Sequence, residues 1–283
     1  MRILLIIVMI LFSLEAKSLF SNTEQADNSL YIGSLKDLII STQKTRGMTN
    51  SYLHGNTVGM LLVYNYRSDM KKAIGTMESL PLAADPVINS RAVLISQYLI
   101  KLNHKAFKQK PNVTFSQYTE QIEQILMLAQ TVSKRGSKNL NPLGKESSVI
   151  MMETMLPMTE YVGQMRGFGS GLAAKKSTNK DELNKIYFLS NEIKQLNTKL
   201  NVQMKQLITK YPGKLASSIN EDIKEVNKLA LIYTSFAEEK FSKDAKNINP
   251  DDYFDEGTAL IEQIIKVYNS LNKSILEDSK GWF

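Results

Sequence analysis

From Asn28 to Leu276, apolar residues return every three or four positions, and apolar and polar residues almost nowhere alternate. A period near 3.6 lines up one face of a helix, whereas a half-buried strand needs a period of two. Proline, glycine and Asx punctuation cuts the run into eight helical segments. They are predicted at 29–54, 60–80, 87–108, 114–134, 145–175, from Ser177-Thr178-Asn179 to the turn Tyr211-Pro212-Gly213, at 215–241, and from the cap Asn249-Pro250-Asp251 to about 276. Pro157 falls inside the fifth and is expected to bend it without ending it. Turns of a few residues make neighbouring helices antiparallel. The expected fold class is therefore all-α, a tandem of four-helix bundles over residues 19–143 and 144–283, with residues 1–18 ahead of them. The boundary falls in GSKNLNPLG, which ends at Gly144; a long helix continuing between the bundles also fits.

Two of the inward rows hold a cation. In LIISTQKTRGMTNSYLHGN the row is Ile39, Thr42, Arg46, Thr49 and Leu53. About 120 residues later, MMETMLPMTEYVGQMRGFGSGLAAKK repeats the arrangement with Met152, Leu156, Thr159, Gly163, Arg166, Ser170 and Ala173. Each arginine is followed by a glycine, Gly47 or Gly167, and glycine within a helix costs about 1 kcal/mol relative to alanine. Gly163, Gly169 and Gly171 also sit near Arg166; they either open space for a ligand or let helices approach closely. The third segment carries Val87, Arg91, Leu94, Tyr98 and Leu102 on one side, which makes Arg91 a further candidate. Arg67 and Arg135 read as surface or helix-end charges.

Composition narrows the class. The apolar fraction of 43% and charged fraction of 22% suit a folded globular chain. The formal charge of +7 comes from lysines scattered among acids, without a basic stripe interleaved with aromatics, so no nucleic-acid partner is expected. Arg2, the apolar run Ile3–Leu14 and the small residues around Ala16 form a signal-peptide pattern. That run is shorter than the roughly 20 residues of a spanning helix. A periplasmic protein follows as the expectation. The chain has no cysteine, which removes disulfides and thiol chemistry. His54 and His104 have no partner at metal-ligand spacing, so no metal site is expected. No catalytic constellation stands out, and neither enzyme activity nor a cofactor is expected.

The words TQKTRGMTNSYLHGN, LPMTEYVGQMRGFGSGLAAKK and DDYFDEGTALIEQIIKVYNSLNKSILE resemble the nitrate- and nitrite-sensing (NIT-type) domains. Those are all-helical sensory modules of bacterial chemoreceptors, histidine kinases and some antiterminators. The resemblance implies nitrate or nitrite as ligand, held by Arg46 and Arg166. Family members often carry a second basic residue beside the first arginine; here its neighbours are Thr45 and Gly47. With no output module after Phe283, the resemblance implies a free-standing sensor that signals to a membrane-bound chemoreceptor or histidine kinase, with a homodimer as an allowed state.

The residues alone leave two readings for the arginines. A desolvated guanidinium needs a partner, and a planar oxyanion matches its flat fork of donors. Gln43, Asn50 and Gln164 are the polar residues placed to assist. Alternatively, each arginine closes a cross-helix salt bridge, with Glu160, Glu153, Asp255 or Glu256 as the acid. The protein would then be a helical scaffold or adaptor without a small ligand, with Met151, Met152, Met155, Met158 and Met165 as a docking face.

Overall fold

The computed structural model describes residues 2–53, 55, 57, 59–243 and 245–279, with side chains described from Thr23 onward apart from those of Asn139, Asp278 and Ser279. The signal-peptide reading of residues 1–18 lies outside the described side chains, and His54 outside the described residues. The helices are α1 (Arg2–Leu53), α2 (Gly59–Glu78), α3 (Pro86–Lys105), α4 (Pro111–Arg135), α5 (Pro142–Ile150), α6 (Leu156–Lys175), α7 (Lys180–Lys210), α8 (Ile219–Lys243) and α9 (Pro250–Ser279). No strand occurs among the described residues. None of their helices is long and apolar enough to cross a membrane.

Local chemistry sets the boundaries. Pro86, Pro111, Pro142 and Pro250 each stand at the start of a helix, where a missing N–H costs nothing. Asp85 caps α3 by accepting from the backbone N–H groups of Val87 and Ile88. Asn179 opens α7 with a capping box: its side chain accepts from the Glu182 N–H, and Glu182 accepts from the Asn179 N–H, both at 2.9 Å. Asn179→Ala is expected to lower stability by about 1 kcal/mol, read as a shifted urea midpoint at unchanged slope. A shift within error would show that the box contributes nothing.

The helix continues past Pro157, as expected, and does so through a local change of winding. α5 and α6 are one helix joined by a π-helical turn, Met151–Met155. The ring of Pro157 crowds the carbonyl four residues back and offers that carbonyl no N–H, so a wider turn there relieves both. Met151, Met152, Met155, Met158 and Met165 are fully buried around it. They fill an irregular core and present no docking face. With α5–α6 counted once, the eight expected helices are present among the described residues.

α1 packs along α2 and α4, and α3 covers α4. α6 packs on α7 and α9, and α8 lies against both of these. α1 also runs beside α9 and touches α6, so the first helix takes part in both groups. Cross-helix bonds fix its register: Gln25 Nε2 donates to the Ile275 carbonyl (2.9 Å), Asn272 Nδ2 to the Ser29 carbonyl (3.0 Å) and Tyr268 Oη to the Ile32 carbonyl (2.8 Å). The buried apolar side chains form one continuous cluster through both groups.

One face is turned from its sequence reading. On α3 the inward residues are Ile88, Ile95, Leu99 and Leu102, while Val87, Arg91, Leu94 and Tyr98 face solvent. Both sides of α3 carry apolar residues, and packing against α4 decides between them.

Candidate functional site

Both arginine rows face inward as their spacing predicts. Ile39, Thr42, Arg46 and Thr49 are buried on α1, and Met152, Leu156, Thr159, Gly163, Arg166 and Ala173 on the facing helix. The rows meet at Gly163, where an added Cβ would lie 3.3 Å from Arg46 Nη2 and 3.7 Å from Gln43 Cδ. Glycine there lets the two helices close around the first guanidinium. Arg166 lies one turn further along.

The two arginines then part ways. Arg46 closes the cross-helix ion pair allowed for in its sequence. Nη1 donates to Glu160 Oε1 at 2.6 Å and Nη2 to Oε2 at 3.2 Å, with both side chains only 2–3% exposed. Nη1 also donates to Thr119 Oγ1 (2.8 Å), and the guanidinium lies 4.8 Å from the centre of the Phe115 ring. Gln43 Nε2 donates to Glu160 Oε2 (3.0 Å) and Gln164 Nε2 to Oε1 (2.9 Å). A buried carboxylate with this many donors is a satisfied one.

Arg166 has no such acid. Nη1 donates to Thr258 Oγ1 at 2.8 Å, and the guanidinium stacks 4.3 Å from the centre of the Phe254 ring. Its Nε is buried with no hydrogen-bond partner, and among the described residues it makes no ion pair. Burial holds its pKa below the usual arginine value; Tyr233 and Glu160 oppose that shift and Arg46 adds to it. An arginine remains a cation in a protein regardless. Beside it, between α1, α6 and α9, lies a cavity of about 340 Å³ whose wall includes Gln43, Lys44, Thr258, Ile261 and Glu262. That is many times the roughly 30 Å³ share of a liquid water molecule.

The other candidates are placed as follows. Gln43 joins both features, since it lines this cavity and bonds Glu160. Asn50, Gly167 and Gln164 line a second cavity of about 720 Å³, with Thr119 and Phe115 between it and Arg46. Gly47 faces open space, and an added Cβ on Gly167 would meet Phe115 at 3.3 Å, so neither glycine makes room beside its arginine. That room is made by Gly163 and by Gly257, where an added Cβ would lie 3.1 Å from Arg166 Cβ. Arg91, exposed on α3, is not brought to either arginine. Arg67 departs from the surface expectation: it is half-buried, 4.7 Å from the Phe107 ring centre. Arg135 pairs with Asp85 at 2.8 Å at the end of α4, as a helix-end charge does. Among the described residues no group of three or more His, Asp or Glu side chains is placed to hold a metal.

Reading the sequence for site residues missed Thr258 and Phe254. Their signal was present in the Tyr-Phe-x-x-Gly-Thr word that carries the family resemblance. The row Phe254, Thr258, Ile261, Ile265 repeats at helical spacing and is the face α9 turns to Arg166.

Helices enclosing a cavity with a buried guanidinium in its wall, and no acid paired to it among the described residues, make up the candidate site of an all-helical module. The chain belongs to the NIT family, described as nitrate and nitrite sensing, whose family model matches residues 37–276. That family is sensory, and its description names no catalysis. Among solved structures the fold is similar to the NasR transcription antiterminator, with a TM-score of 0.69 and 15% identity over 97% of this chain and 75% of that one. At that identity the likeness concerns the fold. A search of curated proteins found no match.

Proposed function

We propose that nitrate or nitrite binds in the cavity beside Arg166, with Arg166, Gln43 and Thr258 as its contacts and Arg46 bracing Gln43 through Glu160. The observation that carries this reading is the Arg166 guanidinium itself: buried, cationic and without an acid among the described residues. A flat oxyanion offers that fork the acceptors it lacks. Because α1, α6 and α9 all border the cavity, an anion there favours helix packings that bring their polar atoms inward, and a partner reads the shift. The two helical groups, 19–143 and 144–283, act as one sensor module in this reading. Export to the periplasm is supported by the pattern in residues 1–18, and a membrane-bound chemoreceptor or histidine kinase is the proposed recipient.

The test is Arg166→Met, followed by calorimetry with nitrate and nitrite and by urea unfolding. Hydrogen bonds to charged groups contribute about 1.5–3 kcal/mol, so affinity is expected to fall ten- to a hundredfold. Stability without anion is expected to hold or rise, because a desolvated cation without a counter-charge is removed. Binding that survives the substitution, or a variant that is merely unfolded, would count against the reading.

A further inference from the structure

Charge counting across the two arginines carries a conclusion about selectivity. Three buried ionic groups meet where α1 and α6 face each other: Arg46, Glu160 and Arg166. Two cations and one carboxylate leave a single positive charge. The charges at the cavity mouth do not change that sum. Lys44 and Glu262 both line it and are exposed to solvent, and they oppose each other. Lys266, also at the mouth, is held by Asp222 at 2.6 Å. A desolvated site is costly when its charges do not cancel, because little solvent is present to screen the remainder.

We infer that Glu160 is a specificity-determining residue: by neutralising Arg46 it leaves the site one positive charge, which selects monovalent oxyanions and excludes divalent ones such as sulfate. The inference rests on the anion occupying the cavity beside Arg166. It gives the Arg46–Glu160 pair a function that neither packing nor ligand contact requires. A second bare arginine would bind anions more tightly, but it would favour the dianion over nitrate. Glu160 exerts this effect without touching the ligand, since its carboxylate is taken up by Arg46, Gln43 and Gln164. It is a positioning and charge-setting residue.

The experiment is calorimetry with the sodium salts of nitrate, nitrite and sulfate in a chloride-free buffer, on the full chain and two variants. Glu160→Gln keeps the side-chain shape and raises the buried charge to two. The double variant Arg46→Met with Glu160→Met removes the pair together and restores the charge to one. The wild type is expected to bind nitrate or nitrite at least tenfold more tightly than sulfate. Glu160→Gln is expected to shift that ratio at least tenfold toward sulfate, while the double variant keeps the wild-type preference even if both affinities fall. An unchanged ratio in Glu160→Gln overturns the inference and leaves nitrate binding intact. Should Glu160→Gln fail to fold, the double variant decides: a swing toward sulfate there overturns the inference, and a preserved preference supports it. A wild type silent to all three anions sinks the binding reading itself, a result distinct from either of these.

Discussion

Glu160→Ala is expected to cost the fold about 3–5 kcal/mol, the range for removing one partner of a buried ion pair. Arg46 is only 2% exposed, and among the described residues its guanidinium keeps Thr119 and the face of Phe115 once the carboxylate is gone. Gln43 and Gln164 lose their acceptor in the same substitution. The cost comes from leaving a charge stranded, not from the worth of the pair: Arg46→Met with Glu160→Met is expected to unfold near the wild-type urea midpoint or above it. Nitrate should partly restore the single variant by binding only the folded state, by about 2.7 kcal/mol at a hundred times the dissociation constant. Chemical unfolding with and without anion measures all three. A Glu160→Ala loss below about 1 kcal/mol would mean that water reaches the pair and that the site is not desolvated.

Gly169→Ala is the second large effect, and its sign is informative. Replacing a mid-helix glycine by alanine ordinarily gains about 0.5–1 kcal/mol. At Gly169 the new Cβ would collide with two ring carbons and the hydroxyl oxygen of Tyr253. That ring is fully buried, with centroids at 5.2 Å from Tyr233 and 5.3 Å from Phe241, and its Oη donates to the Met165 carbonyl at 3.2 Å. It has nowhere to move without breaking these contacts, so overpacking is expected to cost about 1–3 kcal/mol or more. Gly171, two residues on, is exposed with open space around it. Gly171→Ala is expected to stabilise by the ordinary amount. Equal effects of the two alanines on the thermal midpoint would show that the Tyr253 packing does not hold α6 to α9. Tyr253 is the neighbour of Phe254, so the same contact sets where α9 places its face against Arg166.

Much of this was legible in the chain. Helical spacing alone put Arg46 and Arg166 on buried faces, because a side chain's direction around a helix follows from residue count. Proline and Asx residues located the helix starts for equally local reasons, as with Asp85-Pro86 and Asn179. Pro157 lies inside a helix that continues past it, as expected, but the π turn ahead of it depended on how far the surrounding core could spread. Local pattern failed where two faces of one helix were equally apolar. Val87, Leu94 and Tyr98 could have faced the core as well as Ile88, Ile95 and Leu99 do.

What the sequence by itself determined was the all-helical class, the family through its Arg-Gly and Tyr-Phe-x-x-Gly-Thr words, and the pair of inward cations. Only the tertiary structure decided that the cations are not equivalent. Arg46 meets Glu160 because Gly163 lets α6 close against α1, and Arg166 meets Thr258 and Phe254 because Gly169 admits Tyr253. Both outcomes depend on distances between helices far apart in the chain. Periodicity fixes where a side chain points on its own helix, but not which charge the neighbouring helix presents to it.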